Sequence, residues 1–305
     1  MTLVEIEGRQ LKLSNLEKVL YPEAGFAKGQ VIDYYRRIAP ALLPQIRGRP
    51  LTLKRYPNGV DDQYFYEKQC PSHRPPWVQV APVWSGHNDR TINFCLVEDL
   101  PTLIWVANLA SLELHTALHR AAGSKGMPDE EWRPDMVVFD LDPGAPAAFA
   151  ECARVGLWLR ESLDGLGLAS FAKTSGSKGL QVYVPLNTPV TYDQTKGFAR
   201  ALAQVGERAQ PKLVVSNMAK DLRTGKVLID WSQNDEHKTT VSVYSLRARP
   251  RPTVSAPLHW GEVEAAAAGG PVPAVEADEA VRRLSEDGDL FAPLLELEQR
   301  LPVFG

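Results

Sequence analysis

Met136-Val137-Val138-Phe139-Asp140-Leu141-Asp142-Pro143-Gly144 reads as a strand that leaves an apolar core and ends on an acidic tip. Side chains alternate along a strand, so Asp140 and Asp142 fall on one face, the apolar run before them buries the strand, and Pro143-Gly144 stops it. Two carboxylates held that close repel unless a cation lies between them, and hard oxygen donors suit Mg²⁺ or Mn²⁺. Asp230 closes another apolar run, Val227-Leu228-Ile229, just before Trp231, and is a third candidate. Three strand-end carboxylates can hold two divalent ions for in-line phosphoryl or nucleotidyl transfer. Taken singly, each is also the residue that commonly starts a turn at a strand end.

Outward from this strand, further strands are predicted over 51–56, 92–97, 168–174, 180–186, 226–231 and 239–246. Val31, Tyr34, Tyr35, Ile38, Leu42 and Ile46 recur at helical spacing and predict a helix from about Lys28, ended by Gly48-Arg49-Pro50. Other helical stretches lie around 147–163, 193–208 and 276–287, and Ser14-Asn15-Leu16-Glu17 has the form of a helix-capping box. Only a short Ser-Gly-Ser-Lys-Gly turn separates two of the strands. That favours an α+β fold with a mainly antiparallel, mixed sheet flanked by helices over a regular βαβ winding. The tract from Arg249 to Pro273, with Pro250, Pro252, Pro257 and the run 265–270, reads as an extended linker or surface wrap.

Composition narrows the function classes. The chain has 305 residues, 44% hydrophobic and 23% charged, enough for a large core, and no run of about 18 apolar residues that would suggest a membrane span. The N-terminus lacks the basic-then-apolar order of a secretory signal, so a bacterial cytoplasmic protein is expected. Cys70, Cys95 and Cys152 are widely spaced and odd in number, fitting a reducing compartment better than a disulfide framework. A formal net charge of −3 argues against a polyanion partner until it is resolved by segment: +5 over 1–60, −8 over 61–172, +7 over 173–251 and −7 over 252–305. Two basic stretches around an acidic one are compatible with phosphate binding near metal-binding carboxylates, and equally with solvated faces.

Lys173-Thr174-Ser175-Gly176-Ser177-Lys178-Gly179 joins two predicted strands. Its glycines let backbone N–H groups turn toward an anion, and Ser175, Ser177 and Lys178 add donors, although the spacing is not that of a Walker A loop. The same string also suits an ordinary hairpin turn. Lys54 and Arg55 on the first predicted strand, and Arg247 after Tyr244-Ser245-Leu246, are cations in apolar contexts.

Together these strings resemble the polymerase domain of bacterial ligase D, a branch of the archaeo-eukaryotic primase superfamily. The resemblance runs from about Leu13 to Pro250. It is carried by Leu13–Pro22, Leu53-Lys54-Arg55-Tyr56-Pro57, Phe65-Tyr66-Glu67-Lys68, Phe139–Pro143, Thr174–Leu180, Ile229–Asn234, and Lys238-Thr239-Thr240 through Arg247. It implies a primase-type catalytic core over 1–250, with 1–60 contributing DNA contacts, followed by a Pro/Ala-rich extension and acidic tail over 251–305 packed on or near that core. The implied activity is a DNA-repair primase-polymerase that adds nucleotides, ribonucleotides preferred, to primer 3′ ends at gaps or breaks. Two Mn²⁺ or Mg²⁺ ions would be held by Asp140, Asp142 and Asp230. Lys54, Ser175, Lys178, Gln181, Arg247 and His115 match groups around the nucleoside triphosphate, and Asn15, Lys18 and Lys28 match a pocket for the 5′-phosphate of gapped or broken DNA. Phe65, Tyr66 and Arg223 match DNA or template contacts. A separately encoded ligase and end-binding repair proteins would be the protein partners, at the nucleoid, with no membrane involved.

One departure is Gln181, where the family carries His; glutamine donates a hydrogen bond but cannot carry imidazolium charge. No lysine-centred ligase adenylation motif and no nuclease domain accompany the strings, so a stand-alone enzyme or an excised domain is expected. Two competitors remain at this level: a D-x-D phosphatase of the haloacid dehalogenase type, which needs a parallel sheet, and a DNA-end binding module with weak or no polymerase activity.

Overall fold

The computed structural model describes residues 1–86, 89–121 and 132–302, and the chain divides into two compact units. One comprises Met1–Glu131, Thr239–Val254 and Val275–Gly288; the other comprises Trp132–Lys238, Ser255–Ala274 and Asp289–Gly305. The fold is α+β with antiparallel pairing, as the short turn between strands predicts.

In the second unit the decisive strand, Met136–Pro143, lies inside a six-stranded sheet ordered Val214–Val215, Val227–Asp230, Met136–Pro143, Leu180–Pro185, Phe171–Thr174 and Pro257–Leu258. Only the edge pair of Val214–Val215 with Val227–Asp230 is parallel. Alternation divides the labour of the two faces. Val137, Phe139 and Leu141, with Leu180, Val182, Val184, Val227 and Ile229, form one face and belong to the unit's core. The helices Phe149–Gly165 and Tyr192–Ala209 supply Val155, Leu159, Phe198 and Leu202 to the same core. Phe139 is fully buried, with its ring 6.4 Å from that of Phe198, a burial that contributes about 2–3 kcal/mol. The first of these helices approaches so closely that a Cβ on Gly156 would stand 2.5 Å from a Leu180 methyl. With one face committed to apolar packing, register forces Asp140 and Asp142 onto the other.

In the first unit, Leu51–Arg55 pairs with Ser111–Thr116, Arg90–Cys95 and Phe65–Glu67, and Val80–Ser85 and Thr240–Val241 extend the sheet. The helix Lys28–Ile46 buries all six residues of its predicted stripe. Its Tyr34 and Tyr35 hydroxyls donate to the carbonyls of Tyr244 and Leu112 at 2.7 and 2.6 Å.

Four sequence-based expectations change. Ser14–Glu17 caps no helix: Asn15 takes a left-handed φ of 53°, which Asn tolerates, and Lys18 N–H closes a turn on the Asn15 carbonyl at 3.0 Å. The 239–246 strand stops after Val241, because Tyr244 turns the chain at φ 62° and the Ser245 hydroxyl replaces a strand partner by accepting from Leu114 N–H at 2.9 Å. The 249–273 tract is not simply a linker. Pro257–Leu258 forms the sheet edge, where a missing N–H is tolerated, and Trp260–Ala267 is a helix with Val263 and Ala266 buried. Finally, Cys70 and Cys95 are joined in a disulfide, leaving Cys152 as the free, buried thiol.

Candidate active site and anion-binding clusters

The polar face of the second unit's sheet carries a row across four neighbouring strands. Asp230 stands opposite Asp140, Asp140 opposite Gln181, and Gln181 opposite Lys173. Asp142 lies two residues along from Asp140 on the same face and is exposed. Burial pushes the Asp140 carboxyl up to about 7, the Asp142 charge adds to this, and Asp230 contributes a smaller push; a hydrogen bond from Gln181 and the charge of Lys173 oppose it. Lys173 is fully buried, donates to the Ser255 hydroxyl at 2.5 Å, and lies 5.4 Å from the Tyr183 ring centre.

Local structure fixes these groups. Buried Asn234 occupies a ladder position beside Val138: its Oδ1 accepts from Val138 N–H at 2.9 Å and its Nδ2 donates to the Val138 carbonyl at 2.8 Å, two residues from Asp140. Asp230 accepts from the Ser232 N–H and hydroxyl at 2.9 and 2.5 Å and from Gln233 Nε2 at 3.0 Å. Its oxygens are thereby shared with the following turn. Among the described residues no group of three His, Cys, Asp or Glu side chains is gathered closely enough to hold a metal as it stands. The donor chemistry nonetheless fits a divalent ion: an acidic pair, a third carboxylate in register, and a carboxyl that burial and then its two acidic neighbours push upward.

The 173–179 turn differs from the open cradle expected. Gly176 N–H donates to Thr174 Oγ1 at 3.0 Å, while Ser177 and Gly179 N–H donate to Ser175 Oγ at 3.3 and 3.1 Å, so these backbone donors are satisfied within the turn. Ser177 and Lys178 are exposed and present the turn's polar groups outward. Gly179 cannot carry a side chain, because a Cβ would meet the Leu141 carbonyl at 2.3 Å. Arg223 ends a 3-10 turn and donates to the Met218 carbonyl at 2.5 Å. Its loop is stitched to the end of the acidic strand by Gly144 N–H donating to the Lys226 carbonyl at 2.8 Å.

The first unit contains a second assembly, around a residue whose part the sequence strings do not reveal. Glu113, on Ser111–Thr116, is 2% exposed; its Oε2 lies 2.8 Å from His115 Nε2, and its Oε1 3.6 Å from Lys54 Nζ and 3.5 Å from Arg247 Nε. Ala248 N–H donates to the same Oε1 at 3.0 Å. Burial alone would raise the Glu113 carboxyl, but His115, Arg247 and Lys54 hold it at about 2. His115, Lys54 and Arg247 are thus brought together around one carboxylate. Lys54 Nζ also lies 5.3, 4.3 and 5.5 Å from the ring centres of Tyr56, Tyr64 and Tyr66.

Asn15, Lys18 and Lys28 are linked through their backbones, and Lys18 Nζ donates to Asn58 Oδ1 at 2.7 Å. Lys28 N–H donates to the Lys18 carbonyl at 2.8 Å, and Lys28 Nζ donates to the Ser14 carbonyl at 2.7 Å. Burial lowers the Lys28 ammonium to about 8, with the charges of Lys18 and Arg55 adding to the effect. Phe65 and Tyr66 are 57% and 59% exposed, which excludes core packing as their reason for being aromatic.

An antiparallel sheet with an acidic row at its centre, flanked by helices, is the architecture of the primase-polymerase class. Residues 27–291 match the family model for LigD, primase-polymerase domain, and the chain belongs to that family. It is 42% identical over 287 residues to the multifunctional non-homologous end joining DNA repair protein LigD of Mycobacterium tuberculosis, covering 94% of this chain and 37% of the relative. It is 31% identical over 256 residues to the bifunctional non-homologous end joining protein LigD of Bacillus subtilis, covering 84% of this chain and 40% of that protein. The chain therefore spans well under half the length of these curated relatives. Among solved structures, the polymerase domain of Mycobacterium tuberculosis ligase D in complex with DNA matches with a TM-score of 0.86 at 41% identity, covering 93% of this chain and 98% of that one.

Proposed function

We propose that this chain is a DNA-repair primase-polymerase that adds nucleotides, ribonucleotides preferred, to primer 3′ ends at gaps or breaks bearing a 5′-phosphate. The observation that carries the reading is the row Asp230, Asp140, Gln181 and Lys173, with Asp142 beside it, in a chain of this family. Asp140, Asp142 and Asp230 would hold two Mn²⁺ or Mg²⁺ ions, which supply activation of the attacking hydroxyl and neutralisation of the triphosphate. Gln181, on the neighbouring strand, hydrogen-bonds Asp140, and the charge of Lys173 one strand further on favours its ionised form. Lys54, His115, Ser175, Lys178, Gln181 and Arg247 are assigned to the nucleotide. Asn15, Lys18 and Lys28 are assigned to the 5′-phosphate, and Phe65, Tyr66 and Arg223 to DNA.

An antiparallel sheet speaks against the haloacid-dehalogenase alternative, whose chemistry needs a parallel one. Retention of a mutually repelling acidic pair speaks against a purely binding module. With Gln181 in place of His, activity is expected to persist, with altered nucleotide affinity or metal preference. Cytoplasmic, nucleoid-associated action beside DNA ligase activity and end-binding repair proteins is part of the same proposal; among the described residues no helix is long and apolar enough to cross a membrane. The test is extension of a primer on a 5′-phosphorylated gapped duplex with ribo- or deoxynucleotides and Mn²⁺ or Mg²⁺. Template-directed addition is expected, faster with ribonucleotides and Mn²⁺, and DNA binding without any addition would overturn the enzymatic reading.

A further inference from the structure

We propose that Glu113 is a positioning residue for nucleotide binding: a buried carboxylate that fixes Lys54, His115 and Arg247 as one preorganised cationic face for the phosphates of a nucleoside triphosphate. The inference rests on the functional reading above for the identity of the ligand, and on geometry for the role. A carboxylate is an unexpected component of an anion-binding cluster, since it repels the ligand. Its placement shows what it does instead. Glu113 stands directly opposite Lys54 in the strand register and two residues from His115 on the same face. Arg247 Nε and the Ala248 N–H reach the same oxygen from the segment that follows Tyr244.

Two permanent cations and an imidazole crowded together repel one another and, without a shared counter-charge, would spread apart. One buried carboxylate offsets a single positive charge and leaves the excess for an anion. Preorganisation of this kind lowers the cost of binding, because the side chains are ordered before the ligand arrives. Other groups around the carboxylate are the phenols of Tyr21, Tyr35, Tyr56 and Tyr66, which burial keeps neutral and the Glu113 charge holds further that way. The tyrosines thus do not supply a competing negative charge. The His115 ring meets Tyr66 edge-on at 6.3 Å, and Tyr64 and Tyr66 are about half exposed, so the cluster runs from a buried carboxylate through its cations to an aromatic rim.

A merely structural Glu113 and a positioning one differ in what they move. Glu113→Gln preserves size and removes charge. The positioning role expects apparent KM for the nucleoside triphosphate, and the Kd measured by calorimetry on the full chain, to rise about tenfold while kcat stays within about twofold. It also expects the His115 imidazole, followed by NMR, to titrate at lower pH than in the unsubstituted chain, since the Glu113 charge favours its protonated form against burial, Arg247 and Lys54. Should Glu113→Gln fail to fold, Glu113→Asp is measured instead; it keeps the charge and shortens its reach, and a several-fold rise in Kd is expected. Unchanged Kd and His115 titration in the folded glutamine variant, or unchanged Kd in the aspartate variant, would overturn the inference. An unsubstituted chain that binds no triphosphate would sink the functional reading itself, an outcome distinguishable from normal parental binding unaffected by the substitutions.

Discussion

Asp140 and Glu113 are both carboxylates on the polar face of a sheet, one half-buried and one fully buried, and they end in opposite states. Burial raises both. For Asp140 the neighbours are Asp142 and Asp230, which raise it further, and its carboxyl sits at about 7. For Glu113 the neighbours are His115, Arg247 and Lys54, and its carboxyl sits at about 2. The difference teaches how to read a buried acid: one that has its own cations is finished and serves to hold them, whereas one surrounded by other acids is complete only with a cation from outside.

Removing the acids from the unfinished site gives the largest expected effect. Asp140→Asn with Asp142→Asn should cut primer extension by about 10³-fold or more while leaving DNA binding in place. Without divalent ions the same variant should melt no lower than the unsubstituted chain, because a mutual repulsion has been removed. Extension that survives both changes would refute the metal assignment; a marked loss of thermal stability in chelator would show that the pair is structural.

Removing the acid from the finished cluster should act in the reverse sense. Glu113→Ala leaves Lys54 and Arg247 without their buried counter-charge and should cost about 3–5 kcal/mol in urea unfolding. The pH dependences are opposed as well. Because the folded Glu113 carboxyl lies below its ordinary value of 4.5, its contribution is present above that pH and is lost as pH falls toward about 2. The folded Asp140 carboxyl lies above its ordinary 3.8, so in chelator its contribution runs the other way: stability declines as pH rises from about 4 to about 7. Asp140→Asn should flatten that decline, and an unchanged slope would show that Asp140 is not its source.

The two regions were also unequally legible in the sequence. The acidic row could be read because a strand's period of two places Asp140 and Asp142 on one face and the apolar run before them fixes which face is buried. Helix Lys28–Ile46 was legible for the same kind of reason, through its apolar period. Lys173 and Glu113 were not, since a lysine or glutamate within a strand reads as solvent-facing until its cross-strand neighbours are known. Their polar partners Ser255 and Arg247 come, moreover, from segments 82 and 134 residues away in the chain. The 173–179 string leaves an anion cradle and an ordinary hairpin turn both open, because glycine content says that a backbone can turn, not whether its N–H groups already have partners in Thr174 and Ser175. The Cys70–Cys95 bond runs against the expectation from cysteine count for a related reason: the count speaks to compartment, while the pairing depends on Cys70 N–H docking onto the carbonyl of Asn93, on the strand that carries Cys95.

The smallest expected effect sharpens the comparison from the cationic side. Lys28 is the counterpart of Asp140 with the sign reversed, a buried charge beside like charges, and burial with Lys18 and Arg55 lowers its ammonium to about 8. An anion bound there would favour the protonated form, so by linkage binding must weaken as the free side chain loses its proton. The preference for a 5′-phosphorylated over a 5′-hydroxyl gapped duplex should accordingly be steady below about pH 8 and fall above it, by no more than about tenfold per pH unit. Lys18→Ala with Lys28→Ala should abolish most of the preference at every pH. Lys28→Arg should keep the preference and remove its decline, because guanidinium does not titrate in this range. A decline that persists in the arginine variant would assign it to another group, and a preference untouched by the double alanine change would remove this turn from the 5′-phosphate altogether.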